Sequence, residues 1–169
     1  KNEEGTTMIT APEGGKVDPN NYTIERYYSM EKIPEEYREY VEEIGEIKGN
    51  LAYTLGYVKV TKNEFNDTLY VYMNNVGDKL RFEIRIYPEE IQRVRETYPG
   101  YTFEREFEDE GISFDVFSKE ESSGEYTYIM YFYYGKEKYI VIGRNDEDRI
   151  QDIVIAYKNV VLSHEGNQQ

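Results

Sequence analysis

Tyrosines are the residues of this chain with the clearest capacity for binding chemistry. There are 19 of them in 169 residues, beside no cysteine, no tryptophan and a single histidine. In the aromatic stretch at 125–134, two-residue alternation places Tyr131 and Tyr133 on one face of a strand. Together with Tyr70 and Tyr72 of another strand, they form a candidate platform on which a sugar, lipid or peptide would stack. The alternative is structural, with one strand face in the core and the other beneath a helix or loop.

Acidic runs at 108–110, 120–121 and 146–148 are the next candidates. Two carboxylates held roughly 5–9 Å apart can hydrolyse glycosides, and clustered oxygens can bind calcium. However, adjacent acids are expected in a chain with 34 of them. The ligand order of a calcium-binding loop is missing from all three runs. The run at 146–148 also suits the start of a helix, where negative charge is favoured. We therefore predict no catalytic pair and no metal site from these runs.

The only histidine, His164, lies in a polar segment at the end of the chain, and we expect it to be solvated. Without cysteine there is no disulfide, no zinc-thiolate site and no thiol chemistry. No nucleophile, paired imidazole or cofactor motif emerges from the sequence. The expectation is a non-catalytic protein with no catalytic residues, no metal and no cofactor.

The charge balance limits the possible partners. With 20 basic and 34 acidic residues the net charge is −14, which disfavours binding to nucleic acids and to anionic membranes. The arginines between 81 and 95 alternate with acids and form no basic run. No apolar run approaches the roughly 18 residues that a membrane span needs. The partner is left open as a protein, a glycan or a lipid.

Hydrophobic periodicity predicts the first half of the fold. A helix is expected from Pro34 to Gly45 or Gly49, because acids follow the proline and apolar residues recur on one helical face. From residue 51 the period becomes two, which predicts strands at 51–61, 68–75 and 79–87. A short helix is expected after Pro88, with Ile91, Val94 and Arg95 facing the body.

The second half repeats this order of elements. Strands are predicted around 101–107, 112–116, 125–134 and 138–143, followed by a helix over 146–157. The fold class is therefore α+β, with a curved antiparallel sheet of about six to seven strands packed against two to three helices. The similarity of the halves fits either an internal repeat or an ordinary antiparallel meander. The domain plan is a linker or flexible N-terminal arm over 1–22, a single domain over 23–162, and a polar tail over 163–169.

The closing segment carries a family resemblance. An aromatic strand at 128–134, a turn at Gly135, an apolar strand at 139–142 and an amphipathic helix at 146–157 follow one another. This order resembles the C-terminal end of uncharacterised extracytoplasmic domains of Gram-positive membrane-anchored proteins, relatives of LolA-like half-barrels. The resemblance implies an exported, membrane-tethered domain with no assigned catalytic residues.

Three functions follow as hypotheses. The first is an exported, non-catalytic interaction or sensor domain, anchored at the cell surface through a removed N-terminal segment; the polar start and the absence of thiols favour it. The second is a carrier of apolar ligands in a half-barrel cavity. Its lining would comprise Leu80, Phe82, Ile84, Phe114 and Met130. The third is a glycan hydrolase that uses a carboxylate pair.

Overall fold

Eight strands and two α-helices make up the part of the chain that the computed structural model describes, residues 22–47, 53–75 and 78–167. The strands are β1 (Tyr22–Tyr27), β2 (Thr54–Asn63), β3 (Asp67–Asn75), β4 (Asp78–Ile86), β5 (Thr102–Asp109), β6 (Ile112–Glu120), β7 (Tyr126–Tyr134) and β8 (Glu137–Arg144). The helices are α1 (Glu35–Gly45) and α2 (Glu147–Asn167), with a 3-10 turn at Met30–Lys32. The predicted arm lies outside the described residues, except for Tyr22.

The strands form one open antiparallel sheet in the order β1-β2-β3-β4-β8-β7-β6-β5. The sheet consists of two four-stranded meanders, β1–β4 and β5–β8. The last strand of the first meander, β4, pairs with the last strand of the second, β8. The predicted α+β class with an antiparallel sheet is confirmed, with eight strands in place of six to seven. The additional strand is β1, whose polar sequence YTIERY gives little alternation; pairing with β2 holds it at the sheet edge.

One face of the sheet packs against both helices and forms the main core. On β3 and β4 the alternation that the sequence predicts is confirmed, since Leu69, Val71, Phe82 and Ile84 are fully buried. Helix α2 supplies the predicted stripe, and its Tyr157 ring meets Phe82 edge-on at 5.5 Å. The other members of the predicted stripe, Ile150, Ile153 and Val154, are also buried, and so is Val161 beyond the predicted end of the helix.

Helix α2 approaches β8 so closely that only glycine fits at position 143. A Cβ placed on Gly143 would overlap the Ile150 side chain and lie 3.0 Å from Cδ1 of Leu80. Close packing of this kind fills the space between helix and sheet.

The helix predicted after Pro88 is wrong. Residues 87–101 carry no helix and run across the second face of the sheet. The backbone N–H of Ile91 donates to the Gly135 carbonyl at 3.2 Å, and that of Glu96 donates to the Tyr131 hydroxyl at 3.0 Å. Because these groups bond to the sheet, they are not available for a helical ladder. Val94 is 53% exposed rather than turned to the body.

Helix α2 also continues past its predicted end, through the segment expected to be a polar tail, to Asn167. His164 lies on this last part, with its side chain only 26% exposed and its Nε2 2.8 Å from Glu46 Oε2. The expectation of a solvated histidine is wrong, because the end of α2 packs beside the end of α1.

Replacing Gly143→Ala should destabilise the protein by about 1–3 kcal/mol, because the added methyl group overpacks the interface between α2 and β8. Gly45→Ala is the matched control. No atom lies within 4 Å of a Cβ there, and alanine is the better helix former, so stability should be unchanged or raised by up to about 1 kcal/mol. Urea unfolding of both variants measures the difference. Equal free energies of unfolding would contradict the packing described here.

Candidate functional site

The second face of the sheet brings together the four tyrosines that the sequence singles out. Residues paired directly across antiparallel strands point to the same face. Tyr70 of β3 pairs with Glu83 of β4, Glu83 pairs with Ile140 of β8, and Ile140 pairs with Tyr131 of β7. The four tyrosines therefore share one face, but β4 and β8 separate Tyr70 and Tyr72 from Tyr131 and Tyr133.

Residues 87–101 cover the pair on β7. Tyr131 is fully buried; its hydroxyl donates to Asp115 Oδ2 at 2.8 Å and accepts the Glu96 N–H at 3.0 Å. The Tyr133 hydroxyl donates to the Val94 carbonyl at 3.0 Å. These two tyrosines hold the covering segment in place, and a ligand does not reach the Tyr131 ring while the segment is there.

A buried lysine lies beneath the same segment. The Lys138 side chain is 0% exposed, and its Nζ lies 2.9 Å from Glu96 Oε1 and 3.1 Å from the Tyr98 hydroxyl. It also sits 3.9 Å from the centre of the Tyr131 ring, within reach of a cation–π interaction. Burial lowers the pKa of Lys138 to about 8, although Glu96 opposes this.

Ion pairs of Arg85, Arg93 and Arg95 hold the middle of the covering segment against the sheet. Arg93 Nη2 lies 2.5 Å from Oδ1 of the fully buried Asp115, and Arg95 Nε lies 3.5 Å from its Oδ2. Arg85 of β4 reaches Glu96 at 3.2 Å. Each buried charge thus has an opposite charge beside it, as burial requires.

The tyrosines on the other half of the face are half-buried, apart from the exposed Tyr28. The Tyr57 and Tyr72 rings stack with centroids 4.5 Å apart, and Tyr28, which is 68% exposed, lies 5.6 Å from Tyr57. Arg81 continues the row, 5.8 Å from the Tyr72 ring. Beside them, Lys59 Nζ lies 4.5 Å over the Tyr70 ring. We call Tyr28, Tyr57, Tyr70 and Tyr72 the open tyrosine face.

A bulge in β2 sets the position of Tyr57. The register between β2 and β3 shifts between Leu55 and Tyr57, at Gly56. A Cβ on Gly56 would lie 2.6 Å from Asn74 Nδ2 and 3.0 Å from the Tyr72 carbonyl oxygen. Only glycine allows this close approach, which places Tyr57 opposite Tyr72.

The open tyrosine face combines neutral phenols with grouped cations. Burial raises the pKa of Tyr72 to about 12, so its hydroxyl is protonated near neutral pH. Burial, followed by the nearby charges of Arg26 and Arg81, lowers the pKa of Lys59. Arg81 is partly balanced by Glu83, 2.9 Å away.

A recess of about 770 Å³ adjoins the open tyrosine face, beside the last residues of β3 and β8 and the first residues of β4. Tyr72 and Arg81 belong to its wall, so the recess and the tyrosine row are continuous. Among the side chains that the structure describes, its charged lining contains three cations and one carboxylate: Lys79, Arg81, Arg144 and Glu125. We call this the cationic recess; within a chain of net charge −14, it is a local reversal of sign.

Two of the acidic runs have structural roles. Asp109 and Glu110 hold the fully buried Lys158 of α2, at 2.6 and 2.9 Å. Asp146 Oδ1 accepts the N–H of Arg149 at 3.1 Å, as a cap at the start of α2 does. These contacts account for those acids without a catalytic role.

The residues suggested as the lining of a carrier cavity are core residues. Each is at most 2% exposed and packs in the cluster shared by the sheet and the helices: Leu80, Phe82, Ile84, Phe114 and Met130.

Comparison of the chain with protein-family models, curated proteins and solved structures gives no match. The resemblance to half-barrel domains stays a prediction. Among the described residues, no helix combines the length and apolar character needed to cross a bilayer.

Sequence reasoning missed part of this surface. Tyr57 and Lys59 alternate with the buried Val58 and Val60, so period two was a usable signal for their face. In the sequence, the strand at 51–61 has apolar or aromatic residues on both faces. Because tyrosine suits both buried and exposed positions, the pattern does not show which face is exposed. Tyr28, which directly follows β1, carries no such signal.

Replacing Tyr131→Phe should lower the free energy of unfolding by about 1–3 kcal/mol, because a buried Asp115 oxygen and the Glu96 N–H both lose a partner. Tyr126→Phe is the control, since Tyr126 is 41% exposed and its ring contact with Tyr128 survives the change. Chemical denaturation provides the measurement. A loss no larger than that of the control would show that the Tyr131 hydroxyl does not hold the covering segment.

The stability that Lys138 confers should increase with pH. The unfolded lysine keeps its proton up to about pH 10.5, whereas the folded one releases it above about 8, so the unfolded state binds more protons in this window. The free energy of unfolding of the wild type, relative to Lys138→Met, should therefore rise between pH 8 and 10.5, by about 3 kcal/mol at most. The exposed Lys136→Met serves as control and should show no such rise. A flat difference for Lys138→Met would contradict the burial of a charged amine.

Proposed function

We propose that this chain is a non-catalytic interaction domain that works outside the cytoplasm and binds an acidic segment of a protein partner. The binding surface is the open tyrosine face with the adjoining cationic recess. The observation that carries the proposal is the continuous row of Tyr28, Tyr57, Tyr72 and Arg81, whose three tyrosines lie on the part of the sheet face beyond β4.

The composition of the row favours a protein partner. Tyrosine and arginine are enriched in protein interfaces and among the residues that dominate binding energy. A tyrosine offers a large contact area with few rotatable bonds, and so loses little entropy when a partner orders it. Stacking holds Tyr57 and Tyr72 in place before any partner arrives.

The charge of the recess favours an acidic partner. Lys79, Arg81 and Arg144 outnumber Glu125 in the lining, although Glu83 pairs with Arg81 and Glu125 lies 4.0 Å from Arg144. An incoming aspartate or glutamate would share these cations with the carboxylates already present. The net charge of −14 acts over a longer range but is screened beyond about 8 Å at physiological salt. Attraction would therefore operate at contact distance and provide specificity rather than fast association.

The absence of cysteine supports a location outside the cytoplasm. Unpaired thiols are easily oxidised there, so a chain without them suits that environment. Fractionation of the native cell tests this part separately. Recovery of the full-length protein in the cytosolic fraction would contradict it.

Selection from a displayed random peptide library on the immobilised chain tests the binding surface. We expect the selected peptides to be enriched in aspartate and glutamate. Titration calorimetry with the strongest peptide should show affinity falling at least about tenfold, or 1.4 kcal/mol, for Tyr72→Ala and for Arg81→Gln. Tyr126→Ala, a partly exposed tyrosine on the opposite face, should bind as the wild type does.

Circular dichroism confirms that each variant is folded before binding is compared. Peptides without acidic enrichment, or an affinity that Tyr72→Ala leaves unchanged, would contradict the proposed surface. Saturable binding to a glycan array that is lost in the same two variants would assign the surface to a carbohydrate instead of a protein.

A further inference from the structure

The two helices bring three metal-ligating side chains together on the opposite side of the sheet from the open tyrosine face. Glu39 and Glu43 are four residues apart on α1, which places them on one side of that helix. His164 of α2 lies beside them. One ligand atom from each of the three lies within 4.8 Å of the other two.

Hydrogen bonding prepares the imidazole of His164 for coordination. Its Nε2 lies 2.8 Å from Glu46 Oε2, and its Nδ1 lies 3.6 Å from Glu43 Oε2. With the Nε2–H donated to Glu46, the lone pair on Nδ1 is directed toward Glu43. Metal-binding histidines in proteins commonly donate their second N–H to a carboxylate in this way.

Unsatisfied polar atoms lie at the same place. Glu43 is only 6% exposed, and its Oε1 has no hydrogen-bond partner among the described residues. The Tyr157 hydroxyl is fully buried and also lacks a partner there. Burial raises the pKa of Tyr157, and the negative charge of Glu43 adds to this effect. Buried atoms of this kind need an explanation, and a bound ion is one.

The local charge also favours a cation. Glu39, Glu46 and Glu137 place negative charge around Glu43, and the only imidazole of the chain, His164, has its Nδ1 3.6 Å from Glu43 Oε2. Carboxylates crowded around a half-buried imidazole repel each other, and a divalent cation relieves that repulsion.

We propose that Glu39, Glu43 and His164 bind a divalent transition-metal ion that joins α1 to α2. Two carboxylate oxygens and one imidazole nitrogen form a donor set that suits Zn²⁺, with a water molecule completing the coordination. Glu46 orients the imidazole and is not a ligand. The ion would connect two residues of the first helix to one near the end of the chain, so its binding energy adds to the stability of the fold.

Calorimetric titration of the metal-free chain with Zn²⁺ tests the site directly. We expect one ion per chain. At a free concentration a hundredfold above the dissociation constant, the melting temperature should rise by roughly 5–10 °C. Addition of a chelator should reverse the rise.

Three variants locate the site. Glu39→Gln and His164→Asn should each lose the saturable binding and the thermal shift. Glu42→Gln removes one exposed carboxylate from the same helix outside the cluster, and should retain both. Because Glu39 is exposed, Glu39→Gln still decides the question if His164→Asn fails to fold without metal.

Three results would overturn the proposal: no saturable Zn²⁺ binding, wild-type binding in Glu39→Gln, or an equal loss in Glu42→Gln. The last result would show general attraction of Zn²⁺ to the acidic surface. Peptide binding on the open tyrosine face does not depend on this site, so either proposal can fail without the other.

Discussion

The pairing of β4 with β8 is the constraint on which the rest of the structure depends. It joins two meanders into one sheet, over the register from Arg81 and Ile142 to Ile86 and Glu137. On the first face this pairing buries apolar residues such as Phe82 and Val141, and on the second it places Glu83 beside Ile140 and Arg85 beside Lys138, so both faces need cover. Helix α2 covers one, where Gly143 lets it approach. The segment at 87–101 covers the other: its Tyr98 and Tyr101 pack on a second apolar cluster that includes Tyr131, and hydrogen bonds and ion pairs add to this contact.

The position of the candidate binding surface follows from this arrangement. The covering segment makes its polar contacts with strands β4 to β8, and the tyrosines of β2 and β3 lie beyond them. A tyrosine suits such a position, because its ring packs on a neighbour while its hydroxyl stays near water. Stacking of Tyr57 on Tyr72 satisfies part of the demand for burial and leaves surface for a partner. On this face of the sheet, tyrosine is therefore a core residue beneath the covering segment and a surface residue on β2 and β3.

Excess negative charge is distributed unevenly over the molecule. Lys138 and Lys158 are fully buried cations: Lys138 is paired with Glu96, and Lys158 lies between Asp109 and Glu110, which would otherwise repel each other. Where α1 and α2 meet, the acids have one imidazole among them, and Glu43 retains a buried oxygen without a partner. The cationic recess shows the reverse balance. The net charge of −14 is therefore an average over the molecule. It does not give the local charge at the cationic recess or at the cluster where α1 meets α2.

Local periodicity in the sequence determined most of the elements: α1, α2 and the strands from β2 to β8, with Leu69, Val71, Phe82 and Ile84 correctly placed inside. It determined these because side-chain alternation is a property of neighbours along the chain. Tertiary structure alone decided the rest. The edge strand β1 exists because β2 pairs with it, and residues 87–101 form no helix because the sheet takes up some of their hydrogen bonds. Which tyrosines are covered, and that His164 meets Glu43, depends on contacts between distant segments, and no local pattern encodes such contacts.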